Sequence, residues 1–303
     1  MQVSSVARQE NEPRVHQVDL EAEQKLDSKV IVWIGRFSHK SGYGVATRGY
    51  FAAMRGAGLK VVAVDSTNYQ VIGPDHGIDL KVTADANQIG IALPKNLSAV
   101  VVLHETPEAA TRLRVNGCAR TVLMTVLEDD GVPARWVDPL FLFDEIWLPT
   151  DFNVRALIEA SYPASRIRKV PHVVDDLFFD DGLVPMDLPN VNRRRFLSVI
   201  SNFNRKDFSE LLITYFRSFT KDDDVSLIVK LPANTTEEAF ENFVARGQGH
   251  TYALDDPSLP HVVFLLGHLS TQRMAELYRA CDAHISVERA KGWDLPSMEA
   301  MAT

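Results

Sequence analysis

The residues with the clearest chemistry lie near the end of the 303-residue chain, in the run GWDLPSMEAMA at residues 292–302. The apolar run HISV at 284–287 reads as the end of a buried strand, followed by a loop carrying Gly292 and by Pro296 at the expected first turn of a helix. Strand, loop and helix start gather unsatisfied N–H groups and a positive dipole end in one place, which suits a phosphate. Glu299 falls about one turn into that helix, where its carboxylate can accept hydrogen bonds from ribose hydroxyls. The stretch therefore has the makings of half a nucleotide site, and equally of an ordinary capped helix in an α/β domain.

Further candidates stand where strands give way to loops. Arg205 and Lys206, in NFNRKDF, precede an amphipathic helix and offer two cations to a diphosphate leaving group. Asp207 follows them and either weakens that contact or caps the helix. Lys230 closes the strand VSLIVKLP and is another candidate for donor contact. His104 and Glu105 end the buried run AVVVLHE, at the strand edge where open α/β sheets bind ligands, although a lone histidine there is commonly structural. Glu128, Asp129 and Asp130 form an acidic turn that reads first as solvated surface, with one member available to an acceptor hydroxyl.

Alternating strand and helix patterns must position these groups. VIVWIG at 30–35 and VVAVD at 61–65 read as strands buried on both faces. Between them Gly42 and Gly44 are expected to loosen a loop, with a helix over 45–55 ended by Gly56 and Gly58, giving a βαβ opening of Rossmann type. Gly42-Tyr43-Gly44 lacks the third glycine and downstream acid of a dinucleotide fingerprint, so no nicotinamide cofactor is expected. Residues 1–27 read as a flexible tail, 28–174 as a first lobe, 175–193 as a Pro-, Asp- and Asn-rich linker, and 194–303 as a second lobe.

Composition bounds the function classes. Apolar residues make up 46% and charged residues 24%, which is globular, and the net charge of −8 argues against nucleic acid as a partner. Cys118 and Cys281 stand far apart, so neither a disulfide framework nor a zinc site is expected, and a reducing, cytoplasmic setting is the simpler assumption. The N-terminus lacks the apolar segment of a signal peptide, and no run spans a membrane; peripheral membrane contact stays open.

GWDLPSMEAMA resembles the signature of retaining glycosyltransferases of the GT-B fold, family 4, in which a Glu, seven intervening residues and a second Glu follow one another. Here the second is Glu299 and the first is replaced by Lys291. The stretch from Arg120 to Phe179 also resembles the family's N-terminal lobe. The resemblance implies an α/β fold of two facing Rossmann-like lobes, with the second expected to be incomplete because such lobes continue with a further strand and several helices. It implies a UDP- or GDP-linked nucleotide-sugar donor and no cofactor or metal. Arg205 and Lys206 would then hold the diphosphate and Glu299 the ribose, while Gly42 and Gly44 lie beneath the donor phosphates. His104 would contact the transferred sugar; Lys291 would stand in the sugar pocket; Glu105, Glu128 and Asp129 would face a glycan, lipid or small-molecule acceptor. The rival expectation is a degenerate GT-B protein that binds a nucleotide sugar or a protein partner without turnover, motivated by Lys291. A nucleotide-sugar epimerase on the same fold is a third.

Overall fold

A computed structural model describes residues 30–84, 88–94, 97–117, 119–200, 208–232, 235–236, 238, 256–288 and 290–303. The first lobe grows from strands whose side chains are apolar on both faces. Strand β1 (Val30–Gly35) is followed by helix α1 (Gly42–Gly56), β2 (Val61–Asp65) and a short β3 (Val71–Ile72). Then come β4 (Lys81–Ala84), β5 (Ile89–Ala92), β6 (Ala99–His104), α2 (Pro107–Ala110), β7 (Leu113–Asn116) and β8 (Ala119–Met124). The lobe closes with α3 (Ala134–Leu140), β9 (Glu145–Leu148), α4 (Asp151–Glu159) and β10 (Ile167–Lys169). Its main sheet runs β10-β9-β8-β6-β1-β2-β3, parallel except for β3 at the edge. β4, β5 and β7 form a separate three-stranded sheet that the sequence pattern does not announce.

The register fixes where chemistry can occur. Gly35 pairs with His104 across β1 and β6, and His104 pairs with Met124 across β6 and β8, so the carboxyl ends of the central strands meet in one row. Open parallel sheets bind ligands at that edge. The strands behind it are sealed: Val32, Ile34, Val101, Leu103 and Leu123 are fully buried.

The second lobe repeats the logic with β11 (Arg194–Val199), α5 (Phe208–Ser218), β12 (Val225–Lys230), β13 (His261–Leu265), α6 (Thr271–Arg279), β14 (Ala283–His284) and α7 (Leu295–Ala302). Its parallel sheet runs β13-β12-β11-β14. On α5, Leu211, Leu212 and Tyr215 are buried at helical spacing, and α6 is capped by the Ser270 hydroxyl, which accepts from the Arg273 N–H at 3.2 Å. The irregular stretch before β11 packs on this lobe: Phe178 stacks edge-on to Tyr278 at 5.9 Å, and the Met186 N–H donates to the Glu276 carbonyl at 2.8 Å. The two-lobed α/β architecture is thus the expected one.

Two local expectations are corrected. Gly42 and Gly44 do not loosen a loop; they lie in the first turn of α1, with Ser41 as N-cap, because the chain turns so tightly after β1 that Gly44 packs against the His39 carbonyl. HISV is not a strand throughout. β14 ends at His284, and beyond it the Ile285 N–H still donates to the Leu197 carbonyl at 2.7 Å before the chain leaves the sheet. Among the described residues no helix is long and apolar enough to cross a membrane.

Candidate functional site

A cavity of about 190 Å³ opens where the carboxyl ends of the first sheet face the start of α7. Tyr43, His104 and His172 line it from the first lobe, and Lys291, Trp293 and Pro296 from the second. The lobes touch here. A Cβ placed on Gly292 would lie 1.7 Å from the Val126 Cγ1, so only glycine permits this approach.

His104 sits at the floor. It is fully buried, its Nδ1 lies 2.8 Å from the Thr47 hydroxyl, and no partner reaches its Nε2 among the described residues. Aromatic rings enclose it, with Tyr43 at 5.2 Å, His172 at 5.8 Å and Trp33 and Tyr50 each at 5.9 Å. Burial, followed by the charges of His172 and Arg36, pushes its pKa down to about 3, so the ring is neutral near pH 7. His172 follows β10 in the same row and burial pushes it down to about 4. The Tyr50 hydroxyl donates to the Pro171 carbonyl at 2.7 Å, fixing the backbone just before His172, and Trp293 stands perpendicular to the His172 ring at 5.5 Å.

No protein-family model matches the sequence, and no curated protein matches it. Solved structures do. A trehalose-6-phosphate protein from E. coli bound with UDP-2-fluoro glucose aligns over 91% of this chain and 81% of its own, at 13% identity and a TM-score of 0.57. An α,α-trehalose-phosphate synthase (UDP-forming) from Burkholderia xenovorans in complex with glucose-6-phosphate aligns over 91% and 82%, at 13% identity and 0.56. The catalytic domain of Starch Synthase IV from Arabidopsis thaliana, bound to ADP and acarbose, aligns over 91% and 81%, at 10% identity and 0.54. The chain has the GT-B fold.

Within the GT-B cleft the residues singled out from sequence separate into groups. His104, Gly42, Lys291 and Glu128 line the cavity. Gly44 does not, and instead packs beneath the β1–α1 loop. Glu105 is 5% exposed and committed elsewhere: Arg36 donates to its carboxylate through Nε at 2.8 and 3.0 Å and through Nη2 at 2.7 Å, and Ser66 donates at 2.7 Å. Asp129 is exposed on the turn beside Glu128, and that turn is held by Asn153, whose Nδ2 donates to the Leu127 carbonyl at 2.6 Å. The Lys230 ammonium is buried and donates to the Leu231 and Gly267 carbonyls, each at 2.6 Å, so it ties the ends of β12 and β13 together. Arg205 and Lys206 lie outside the described residues.

Lys291 donates to the Ser286 hydroxyl at 2.6 Å and pairs with the Asp294 carboxylate. Asp294 precedes α7 with φ at 65°, a left-handed conformation that Asp tolerates better than most residues. Glu299 lies one turn in but behind the cavity wall, accepting a hydrogen bond from the Tyr278 hydroxyl at 3.0 Å. Tyr43 and Trp293 lie inside the Gly42–Gly44 and GWDLPSMEAMA runs without being singled out there, and Tyr278 carries no local motif. The signal for His172 is its place just past a strand end on the ligand-binding edge.

Glu299 supplies a pH dependence. Burial raises its pKa to about 7, and the Tyr278 hydrogen bond only partly opposes this. The folded state therefore holds a proton between about pH 4.5 and 7 that the unfolded chain has released, so this group's contribution to stability falls as pH rises through that window. Glu299→Gln is expected to raise stability at pH 8 by about 2 kcal/mol and to leave it unchanged at pH 4. Thermal unfolding at both pH values checks this; an equal shift at each would remove the carboxylate from the explanation.

Proposed function

We propose that this GT-B chain moves a sugar from a nucleotide-sugar donor to an acceptor hydroxyl, with retention of configuration at the transferred carbon. The observation that carries the reading is the cavity itself, in which His104 of the first lobe faces the Gly292–Pro296 segment that begins α7. Backbone N–H groups at that helix start would receive the donor phosphates. Arg205 and Lys206 are assigned to the same diphosphate, and Glu299 to the ribose through the oxygen that Tyr278 leaves open. The sugar would occupy the cavity against His104, and the acceptor would enter on the side of Glu128 and Asp129. Such a site works by holding donor and acceptor in line and by neutralising the departing phosphate, which requires no protein nucleophile. The solved relatives lend the donor class, since two of them were captured with UDP-2-fluoro glucose and with ADP.

A second reading, a nucleotide-sugar binder without turnover, is favoured by one observation: the position expected to hold a carboxylate in the sugar pocket holds Lys291, neutralised by Asp294. Calorimetric titration with UDP and GDP, followed by a hydrolysis assay with UDP-glucose and GDP-mannose, separates the two. Micromolar nucleotide binding with slow hydrolysis is expected for the transferase. Binding without any hydrolysis selects the second reading, and binding of neither nucleotide by folded protein removes both.

A further inference from the structure

Beneath the cavity, Thr47 of α1 meets His104 of β6, with the hydroxyl 2.8 Å from the ring Nδ1. Both residues are fully buried and only His104 lines the cavity, so the Thr47 hydroxyl can act on a ligand only through the ring. Among the described residues its side chain makes no other hydrogen bond. A hydroxyl brings one proton and two lone pairs, and a neutral imidazole brings one N–H and one bare nitrogen, so two arrangements fit that distance. In the first, Nδ1–H donates to the Thr47 oxygen. The hydroxyl proton is then sealed in the core without an acceptor, a costly fate for a buried donor. In the second, the hydroxyl donates to a bare Nδ1 and the ring proton sits on Nε2. The N–H left over then faces the cavity, where ligand or water can accept it. The other neighbour of the hydroxyl favours the second arrangement. A Cβ built on Gly35 would lie 2.7 Å from the Thr47 Oγ1 and 3.3 Å from the Trp33 Nε1, so an indole N–H without a partner flanks the hydroxyl oxygen. A donor on that side turns the hydroxyl proton away, toward Nδ1.

We propose that Thr47 is a positioning residue that holds His104 in the tautomer with its proton on Nε2, so that the ring presents a hydrogen-bond donor to the cavity and not a base. In what it says of substrate this rests on the glycosyl-transfer reading, which it deepens: His104 takes no proton from donor or acceptor. The substrate group that meets the ring is an acceptor oxygen, neutral or anionic. Burial keeps the ring neutral near pH 7, so the tautomer alone decides what Nε2 offers.

Long-range proton–nitrogen NMR on protein labelled at its histidine nitrogens reads the tautomer directly, with His104→Phe assigning the resonances. Wild type is expected to show Nδ1 at the shift of a bare ring nitrogen and Nε2 at that of a proton-bearing one. Thr47→Val keeps the shape and removes the hydroxyl, so the ratio of the two tautomers is expected to fall about fivefold and the two shifts to move toward each other. Thr47→Ser restores the hydroxyl and should restore the shifts. By calorimetry, Thr47→Val is expected to lose about fivefold in affinity for UDP-glucose, or for GDP-mannose if the guanine form is preferred, while the bare nucleotide stays within about twofold of wild type. Thr47→Ser should bind as wild type does. A wild-type Nδ1 that carries the proton, or shifts that stay in place in Thr47→Val, would overturn the inference. So would a sugar-nucleotide affinity that does not change, or a loss shared equally by the bare nucleotide. If neither nucleotide binds, the glycosyl-transfer reading fails, while the nitrogen shifts still decide the role of Thr47. Should Thr47→Val not fold, Thr47→Ala takes its place, and the wild-type shifts test the tautomer without any variant.

Discussion

Gly44→Ala is expected to destabilise the protein by about 3 kcal/mol or more, a large cost for one methyl group. A Cβ at that position would lie 1.9 Å from the His39 carbonyl oxygen, 2.8 Å from the His39 carbonyl carbon and 2.9 Å from the Arg36 carbonyl oxygen. All three are backbone atoms, so no rotamer change relieves the overlap. The loop would have to shift, and it is pinned. Arg48 donates to the Phe37 and His39 carbonyls at 2.7 and 2.9 Å, and the Ser38 N–H donates to the buried Asp65 carboxylate at 3.0 Å. Moving these bonds would also displace Tyr43 from the cavity wall, so ligand binding is expected to fall with stability. Gly42→Ala is the control: nothing lies within 4 Å of its Cβ, and it is expected to be neutral or to stabilise by about 0.5–1 kcal/mol. Thermal unfolding of the pair decides the matter. A Gly44→Ala protein that melts with wild type would mean that the close approach does not constrain the fold.

The glycine pair also shows how far the sequence can be read. Continuous apolar runs such as VIVWIG and AVVVLH announce strands buried on both faces, because such runs satisfy a parallel sheet and little else of that length. The helix after β1 was harder. Two glycines ordinarily signal a loop, and the reason they sit inside α1 is a contact between Gly44 and the His39 backbone that no local propensity encodes. Ser41, two residues ahead of Tyr43, was the available clue, since its hydroxyl accepts the Gly44 N–H as an N-cap.

The site divides along the same line. His104 is legible because it ends a strand, and the helix start at Pro296 because Pro favours the first turn. His172 reaches His104 and Tyr278 reaches Glu299 only through packing within each lobe, and His172 meets Trp293 only across the two, over sequence separations that pattern does not register. The small β4-β5-β7 sheet escaped for another reason. KVTA, IGIA and LRVN are four-residue strands with no long apolar run to distinguish them from connecting chain.

Lys291 is where sequence and structure combine into an expectation that neither gives alone. The resemblance suggests restoring a glutamate, yet the Lys291 ammonium neutralises Asp294, whose side chain is 11% exposed. Lys291→Glu would remove that cation and place a second carboxylate beside the first, so the single substitution is expected to destabilise by about 3 kcal/mol and to abolish nucleotide binding rather than confer activity. Two negative charges at the start of α7 would also oppose the phosphates that this helix end is proposed to hold. Asp294→Gly alone removes the partner of Lys291, but it places glycine at φ 65°, where glycine is at ease, and is expected to be near neutral. The double variant Lys291→Glu/Asp294→Gly has neither the repulsion nor the strained backbone and is expected to recover most of the lost stability. All four forms should be compared by thermal unfolding and donor hydrolysis. Coupling of at least about 1 kcal/mol is expected between the two positions, and additivity within about 0.5 kcal/mol would mean that the ion pair is inert. If hydrolysis rises in the double variant and not in the single one, Lys291 and Asp294 together hold the native site in its present chemistry; if it rises in the single variant, the pairing with Asp294 does not govern position 291.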